Sequence, residues 1–257
     1  MFNYNVLLLL HRYEYMIKNI LKIIFFYGKL PLFFFQLLVF SKFNIKNLIN
    51  LKLSPQLFDN KKKEPFDAHY MYHTAWASRV LSKINPTLHH DFASDLRFVT
   101  MISSHIKIIQ YNLSIPTVKL DNLEFRTTNL TKMENIKSNS LSSVSCMHVV
   151  EHVGLGRYGD DINPEGDKEA IKELVRILAP GADLLFVVPV GKPRIFFNAH
   201  RVYSHNDILK SFHSLKLKEF SFIGDNGFYD GIEHSPNINK VEKNEYGCGC
   251  YWFKKNF

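Results

Sequence analysis

From residue 72 onward, apolar side chains recur with two alternating periods. Tyr72, Trp76, Val80 and Ile84 fall at helical spacing, and Asn85-Pro86 stops that helix. His89–Ala93 reads as a short strand. Asp95–His105 carries Leu96, Val99 and Ile102 three residues apart and reads as a helix. Ile106–Leu113 and Leu123–Asn129 are strands, and Ser143–Val150 is a strand of the buried type. The clearest helix runs from about Pro164 to Leu178. Pro164 suits its first turn, Glu165 and Asp167 its positive end, and Ile171, Leu174 and Leu178 form the inner stripe. Ala179-Pro180-Gly181 ends it. Leu184–Val190 is almost continuously apolar, as expected of a strand covered on both faces. A helix over Ser204–Phe212, with Ser204 as N-cap, precedes strands near Leu217–Ile223 and Cys248–Phe253. This alternation predicts an α/β domain with a largely parallel sheet, whose ligand site lies beyond the carboxyl ends of the strands.

The first 58 residues follow another pattern. From Tyr15 to Phe58 there is no acid and no arginine, but there are six lysines: Lys18, Lys22, Lys29, Lys42, Lys46 and Lys52. Apolar runs lie between them at Asn19–Tyr27 and Leu30–Phe40. A membrane-spanning helix needs about 20 apolar residues, more than the uncharged run Leu30–Ser41 provides. Apolar bulk interleaved with lysine fits either helices lying in an anionic membrane interface, over residues 16–53, or a helical extension packed on the domain. Met16 opens the lysine-rich part and is a second candidate start. The charged stretch 59–64 reads as a hinge to a domain spanning residues 65–257.

The 257-residue composition, 46% apolar and 22% charged, excludes a disordered chain, a collagen-like repeat and a coiled coil. Three cysteines argue against a disulfide framework and for a reducing compartment. The net charge of +8 points to an anionic partner. Nucleic acid is not expected, because the domain carries neither a basic helix nor basic residues interleaved with aromatics.

The stretch Val149-Val150-Glu151-His152-Val153 resembles the end of the fourth strand of class I S-adenosylmethionine-dependent methyltransferases. Leu174–Gly181 (LVRILAPG) resembles the segment that leads into their fifth strand. More narrowly, three segments resemble a bacterial and nematode family of unknown function, domain of unknown function 268. They are His69–Ala77, Glu151–Asp160 (EHVGLGRYGD) and Phe197–Arg201. The resemblance implies a doubly wound, Rossmann-like sheet after an apolar N-terminal helical extension, with S-adenosyl-L-methionine as cofactor. It also implies a cofactor site at Asp91, Ser94, Asn112 and Asn129, where Asp91 either orients the cofactor loop or caps the next helix. The chain departs from the pattern at Asp91-Phe92-Ala93-Ser94, where the family has glycine in place of Ala93, and at Asn112 and Asn129, where acids are usual. Only Ser114–Asn122 separates the second and third strands, which is short for a parallel crossover.

Glu151 and His152 are the candidate bases, with His200 as a second imidazole; the alternative is that they hydrogen-bond the following loop. Arg157, Tyr158 and Asp160 lie in a glycine-punctuated loop expected to contact substrate. There Arg157 either grips an anionic group or pairs with Asp160. Asn198 and Arg201 are expected over the same cleft. His148-x-x-Glu151-His152 matches a zinc pattern, but only a helix converges such ligands, and the segment reads as strand. Cys248-Gly249-Cys250 has no cysteine or histidine partner at metal spacing, so no metal is expected. The resulting expectation is a cytoplasmic methyltransferase, peripheral on the inner face of the membrane. Its substrate is a small molecule, such as the hydroxyl of a cell-surface sugar precursor. The alternative is a degenerate methyltransferase fold that binds a ligand or partner without catalysis.

Overall fold

In the computed structural model of the protein, residues 28–42, 51–57, 66–225 and 230–257 are described. The chain divides into two units, Met1–Pro65 and Phe66–Phe257. In the first, residues 28–42 form a helix, α1, none of whose side chains is buried. The readings made on residues 1–27, 43–50 and 58–65, including those on Lys18, Lys22, Lys46 and the hinge, lie outside the described residues.

The second unit is built on an eight-stranded sheet of order β3-β2-β1-β4-β5-β10-β8-β9. Its parallel half consists of β1 (Leu88–Phe92), β2 (Lys107–Asn112), β3 (Leu123–Thr127), β4 (Leu141–Met147) and β5 (Leu178–Val190). Two short strands, β6 (Arg194–Phe196) and β7 (His200–Val202), form a separate antiparallel hairpin. β8 (Leu215–Gly224), β9 (Glu233–His234) and β10 (Gly247–Lys255) complete the sheet with antiparallel pairings.

The apolar run of β5 divides its side chains between two cores. Leu184, Phe186, Val188 and Val190 pack with Ala170, Ile171 and Leu174 of α4 (Gly166–Ile177) and Ile208 of α5 (His205–Ser211). Leu185 and Val187 pack with Trp76, Val80 and Leu81 of α2 (Ala68–Ile84) and with Phe98 and Val99 of α3 (Leu96–Ile102). Strict alternation under two layers of helix explains why the run shows no polar period. A last short helix, α6, spans Ile238–Lys243.

The helix starts follow the local chemistry: Asp67, Asp95, Ser204 and Asn237 each cap the helix that follows with a side-chain oxygen. Asn85 ends α2 in the left-handed region. Three boundaries differ from the sequence pattern. β5 begins at Leu178, directly at the end of α4, and the register shift between Leu141 and Ser143 of β4 absorbs Ala179–Ala182 as a bulge. β4 stops at Met147, three residues early, because His148 turns the chain with φ +56° and Val150–His152 forms a 3₁₀ turn. The short Ser114–Asn122 link does join parallel strands. The β3–β4 connection contains no helix and is clamped by Arg176 of α4, which donates to the carbonyls of Met133 and Ile136 at 2.9 and 3.0 Å.

Two imidazoles are built into β1. His89 is fully buried between the Ser143 and Ser145 hydroxyls, each 2.8 Å away, and burial pushes its pKa down to about 3. Burial likewise takes His90 down to about 4, with the nearby Arg126 charge adding to the shift. Both rings therefore stay neutral in the folded domain, whereas an unfolded chain protonates them near 6.5. Stability is fully present above about pH 6.5 and falls as acid is added toward pH 3–4, with His89 alone contributing about 1.4 kcal/mol per pH unit. Thermal melts followed by circular dichroism should show a midpoint that is level near neutrality and drops continuously below about pH 6. A midpoint unchanged down to about pH 4 would contradict the neutral burial of these rings.

Candidate active site

The carboxyl ends of β1, β2 and β4 border a cleft of about 460 Å³. One side of it is the turn after β1. Ala93 has φ +54°, the left-handed conformation that glycine adopts without cost, and it lines the cleft with Ser94. Asp91 lies behind this turn and does not reach the cleft wall. Its buried carboxylate accepts from the Ser94 N–H (3.0 Å), from Gln110 Nε2 (2.8 Å) and from the Ser145 hydroxyl. Burial raises the Asp91 pKa against these hydrogen bonds, which lower it. Gln110 also donates to the Ser94 carbonyl at 2.9 Å, so Asp91 and Gln110 together set the path of the turn. Asp91 is thus a positioning residue rather than a contact.

Asn112 and Asn129 line the cleft beyond β2 and β3. The Asn112 Nδ2 is buried without a hydrogen-bond partner, a donor left for a bound acceptor. Asn129 turns its Oδ1 onto the backbone N–H and hydroxyl of Thr131. Tyr111, Leu113 and Leu130 supply apolar wall.

The opposite side is made by the turn after β4. Glu151 is buried, and its Oε1 lies 2.9 Å from His148 Nδ1 and 3.7 Å from His152 Nε2. The two imidazoles of the H-x-x-E-H stretch therefore stand on either side of one carboxylate, a geometry made by the 3₁₀ turn rather than by a helix. His152 lines the cleft. Its Nδ1 lies 2.6 Å from the Ala199 carbonyl, which can only accept, so in the neutral ring Nε2 carries the lone pair.

Ala199 belongs to the β6–β7 hairpin, whose turn contains Asn198 at φ +59°. The sequence treats this stretch as a loop over the cleft; Ala199 lies against His152, but none of residues 198–201 lines the cleft. Arg157 Nη1 is 3.3 Å from the same carbonyl, and its guanidinium lies over the exposed Tyr158 ring at 5.2 Å. Tyr158 meets His152 edge-to-face and shares the cleft wall with Asp160. Asp160 does not pair with Arg157; its carboxylate takes the Gly154 and Tyr158 N–H groups at 2.7 and 3.2 Å and holds the loop closed. Asn198 Nδ2 donates to the Leu155 carbonyl at 3.4 Å.

Two site expectations need correction. Arg201 is buried, with its guanidinium on the Val153 and Pro164 carbonyls at 2.7 and 3.2 Å and near Asp167 at 3.6 Å. It fastens the loop to α4 and is unavailable to substrate. His200 stands behind His152, with ring centroids 6.4 Å apart, against Phe196 and Tyr246. Burial lowers its pKa, and it is not on the cleft wall.

The sequence missed a second layer of rings behind His148. His69, Tyr70 and His73 of α2 and Tyr246 before β10 gather there. Burial lowers His69 to about 4 and His73 to about 3, and raises Tyr70 and Tyr246 to about 12. The available signal was the His69–His73 stretch, whose two histidines sit four residues apart on one helix face.

The sequence profile of a family described as "Caenorhabditis protein of unknown function, DUF268" matches residues 95–225. Among curated proteins nothing matches. Among solved structures, the chain is similar to the Burkholderia thailandensis 1,6-didemethyltoxoflavin-N1-methyltransferase, crystallised with 1,6-didemethyltoxoflavin and S-adenosylhomocysteine. Identity is 10%, coverage is 80% of this chain and 100% of that one, and the TM-score is 0.52. It is also similar to the N-methyltransferase NodS from Bradyrhizobium japonicum, at 13% identity, 74% and 97% coverage and a TM-score of 0.50. At such identities the likeness is one of fold: the domain has the class I methyltransferase architecture.

The loop glycines separate two kinds of constraint. A Cβ on Gly154 (φ +79°) would lie 2.0 Å from the Asn163 carbonyl oxygen, whereas one on Gly159 (φ +81°) would meet nothing within 4 Å. Gly159→Ala should cost about 1 kcal/mol, the price of the dihedral alone. Gly154→Ala should cost about 3 kcal/mol or more, because backbone must move. Urea titrations of the two variants check the difference, and equal costs would mean that the loop is not held as described.

Proposed function

Because the chain belongs to the family described as Caenorhabditis protein of unknown function, DUF268, and folds as a class I methyltransferase, we propose that it is an S-adenosylmethionine-dependent methyltransferase acting on a hydroxyl of a small molecule. The observation that carries this reading is the cleft itself. It has an unpartnered amide donor at one side and an imidazole backed by a buried carboxylate at the other.

The residues present fit the cofactor, with neutral groups in place of the usual acids. Asn112 Nδ2 offers a hydrogen bond to a ribose hydroxyl, and Leu113, Leu130 and Tyr111 offer apolar surface to a base. The turn at Ala93-Ser94 borders the same space, although the Ala93 Cβ narrows it where glycine is usual. When bound, S-adenosylmethionine supplies an electrophilic methyl group. This chain's own contribution is to place the acceptor hydroxyl and remove its proton. His152 Nε2 takes that proton, and Glu151 at 3.7 Å stabilises the imidazolium that results. The Ala199 carbonyl keeps the ring in the required tautomer. Tyr158 and Arg157 border the acceptor side, and Arg157 is the cation available to an anionic substituent there.

The second reading, a methyltransferase fold that binds without catalysis, is favoured by Ala93 at a glycine conformation and by Asn112 and Asn129 at acid positions. Calorimetry separates the two. S-adenosylmethionine should bind saturably below millimolar concentration, and Asn112→Ala should weaken it about tenfold through one lost hydrogen bond. His152→Ala should leave that affinity nearly intact and lower turnover by about 10²–10⁴-fold. Absence of binding at millimolar ligand would leave the non-catalytic reading.

For α1 we propose an interfacial position on an anionic membrane. No helix among the described residues is long and apolar enough to cross a bilayer. Yet Leu32, Phe34, Phe35, Leu38, Val39 and Phe40 are all exposed, and the surrounding sequence carries lysines without acids. The full chain should co-sediment with anionic vesicles, less so as salt rises, while a chain beginning near Asp59 should not. Equal sedimentation of the two chains, or none, would remove this role from the segment.

A further inference from the structure

At the inner wall of the cleft, which His148 lines, three side chains from separate elements point heteroatoms at one another. They are His73 of α2, His148 after β4 and Cys248 of β10. One ligand-type atom from each lies within 4.8 Å of the other two, and the His148 Nε2–Cys248 Sγ distance is 3.4 Å. Each imidazole is anchored through its other nitrogen. His73 Nδ1 lies 2.7 Å from the His69 carbonyl, which must accept, so the neutral ring carries its lone pair on Nε2. His148 Nδ1 lies 2.9 Å from the Glu151 carboxylate. Metal-binding histidines are oriented in this way, with a carbonyl or carboxylate on the far nitrogen.

The protein alone does not satisfy the cluster. His73 is fully buried, yet its Nε2 has no hydrogen-bond partner. A buried acceptor left without a donor is destabilising, and no neighbouring group relieves it. His148, moreover, is held at φ +56°, which a β-strand continuation would not require. A cation between the three atoms removes the deficit at His73.

We propose that His73 Nε2, His148 Nε2 and Cys248 Sγ form a site for a borderline divalent cation, Zn²⁺ in the first instance. The donor set is N₂S, which suits zinc and disfavours magnesium and calcium, whose ligands are oxygens. A tetrahedral zinc with bonds of about 2.0–2.1 Å to nitrogen and 2.3 Å to sulfur sets its ligand atoms roughly 3.3–3.6 Å apart. The His148–Cys248 pair already has that separation. Binding replaces the Cys248 S–H bond by a zinc–thiolate bond and releases the proton to solvent. The fourth position is left to water or another ligand. The site ties the first turns of α2 to the end of β4 and the start of β10, and it stands independently of the methyl-transfer reading, since none of its three ligands is given a role there.

The test uses the full chain, stripped of metal and dialysed against Zn²⁺ or Co²⁺. One ion per chain is expected, and the Co²⁺ form of the unaltered protein should show a thiolate-to-cobalt charge-transfer band with tetrahedral ligand-field absorption. Cys248→Ser should abolish that band, His73→Ala should weaken binding, and Glu151→Gln should weaken it about 10–100-fold by releasing His148. Circular dichroism of each variant reports folding, while the band in the unaltered protein tests thiolate ligation without any variant. No ion uptake, uptake without the charge-transfer band, or undiminished binding in folded Cys248→Ser would overturn the proposal.

Discussion

The contact on which the site depends is the buried carboxylate of Glu151, set between two imidazoles. Its Oε1 faces His148 on one side and His152 on the other, while Oε2 has no hydrogen-bond partner. A buried carboxylate is costly unless it is hydrogen-bonded, so His148, whose Nδ1 lies 2.9 Å from it, and the turn that carries Glu151 are constrained together. The 3₁₀ turn at Val150–His152 and the left-handed backbone of His148 are the backbone solution that brings them into range.

This carboxylate divides the molecule's chemistry into two compartments. Toward the cleft, His152 is fixed by Glu151 and by the Ala199 carbonyl, with Tyr158 across its face. Toward the interior, His148 is turned onto Cys248 and His73. Removing the carboxylate would therefore disturb both compartments, which no inspection of the cleft alone would reveal. The β6–β7 hairpin depends on the same region, because Arg201 reaches from it to the carbonyls of Val153 and Pro164 and to Asp167 of α4.

The cofactor side is held by a second buried acid. Asp91 and Gln110 shape the turn through Ala93 without touching the cleft. The turn keeps the glycine-type conformation although the residue is alanine, so the fold imposes the path and the side chain bears its strain.

Much of the fold was legible along the chain. The double core of Leu184–Val190, the cap at Ser204 and the stop at Asn85 are local matters of periodicity and hydrogen bonding. The positions of Ser94, Asn112, Asn129, His152 and Tyr158 around one cleft follow from the strand order, which the methyltransferase resemblance implied. What the sequence could not determine is where partners from distant segments meet. Arg201 looked like a free cation because its three oxygen partners lie some 34 to 48 residues earlier, on a loop and a helix that only packing brings beside it. The H-x-x-E-H spacing converges on one metal only from a helix, whereas here the chain turns at His148 and the histidines part around Glu151. Cys248 lies 100 residues from His148 in sequence, so no spacing rule could join them. The pairing of β10 with β5, and the packing of α2 beneath both, bring them together. Local pattern specifies which residues are helix, strand and core; which heteroatoms share a buried space is decided by tertiary burial, because each must find its partner away from water.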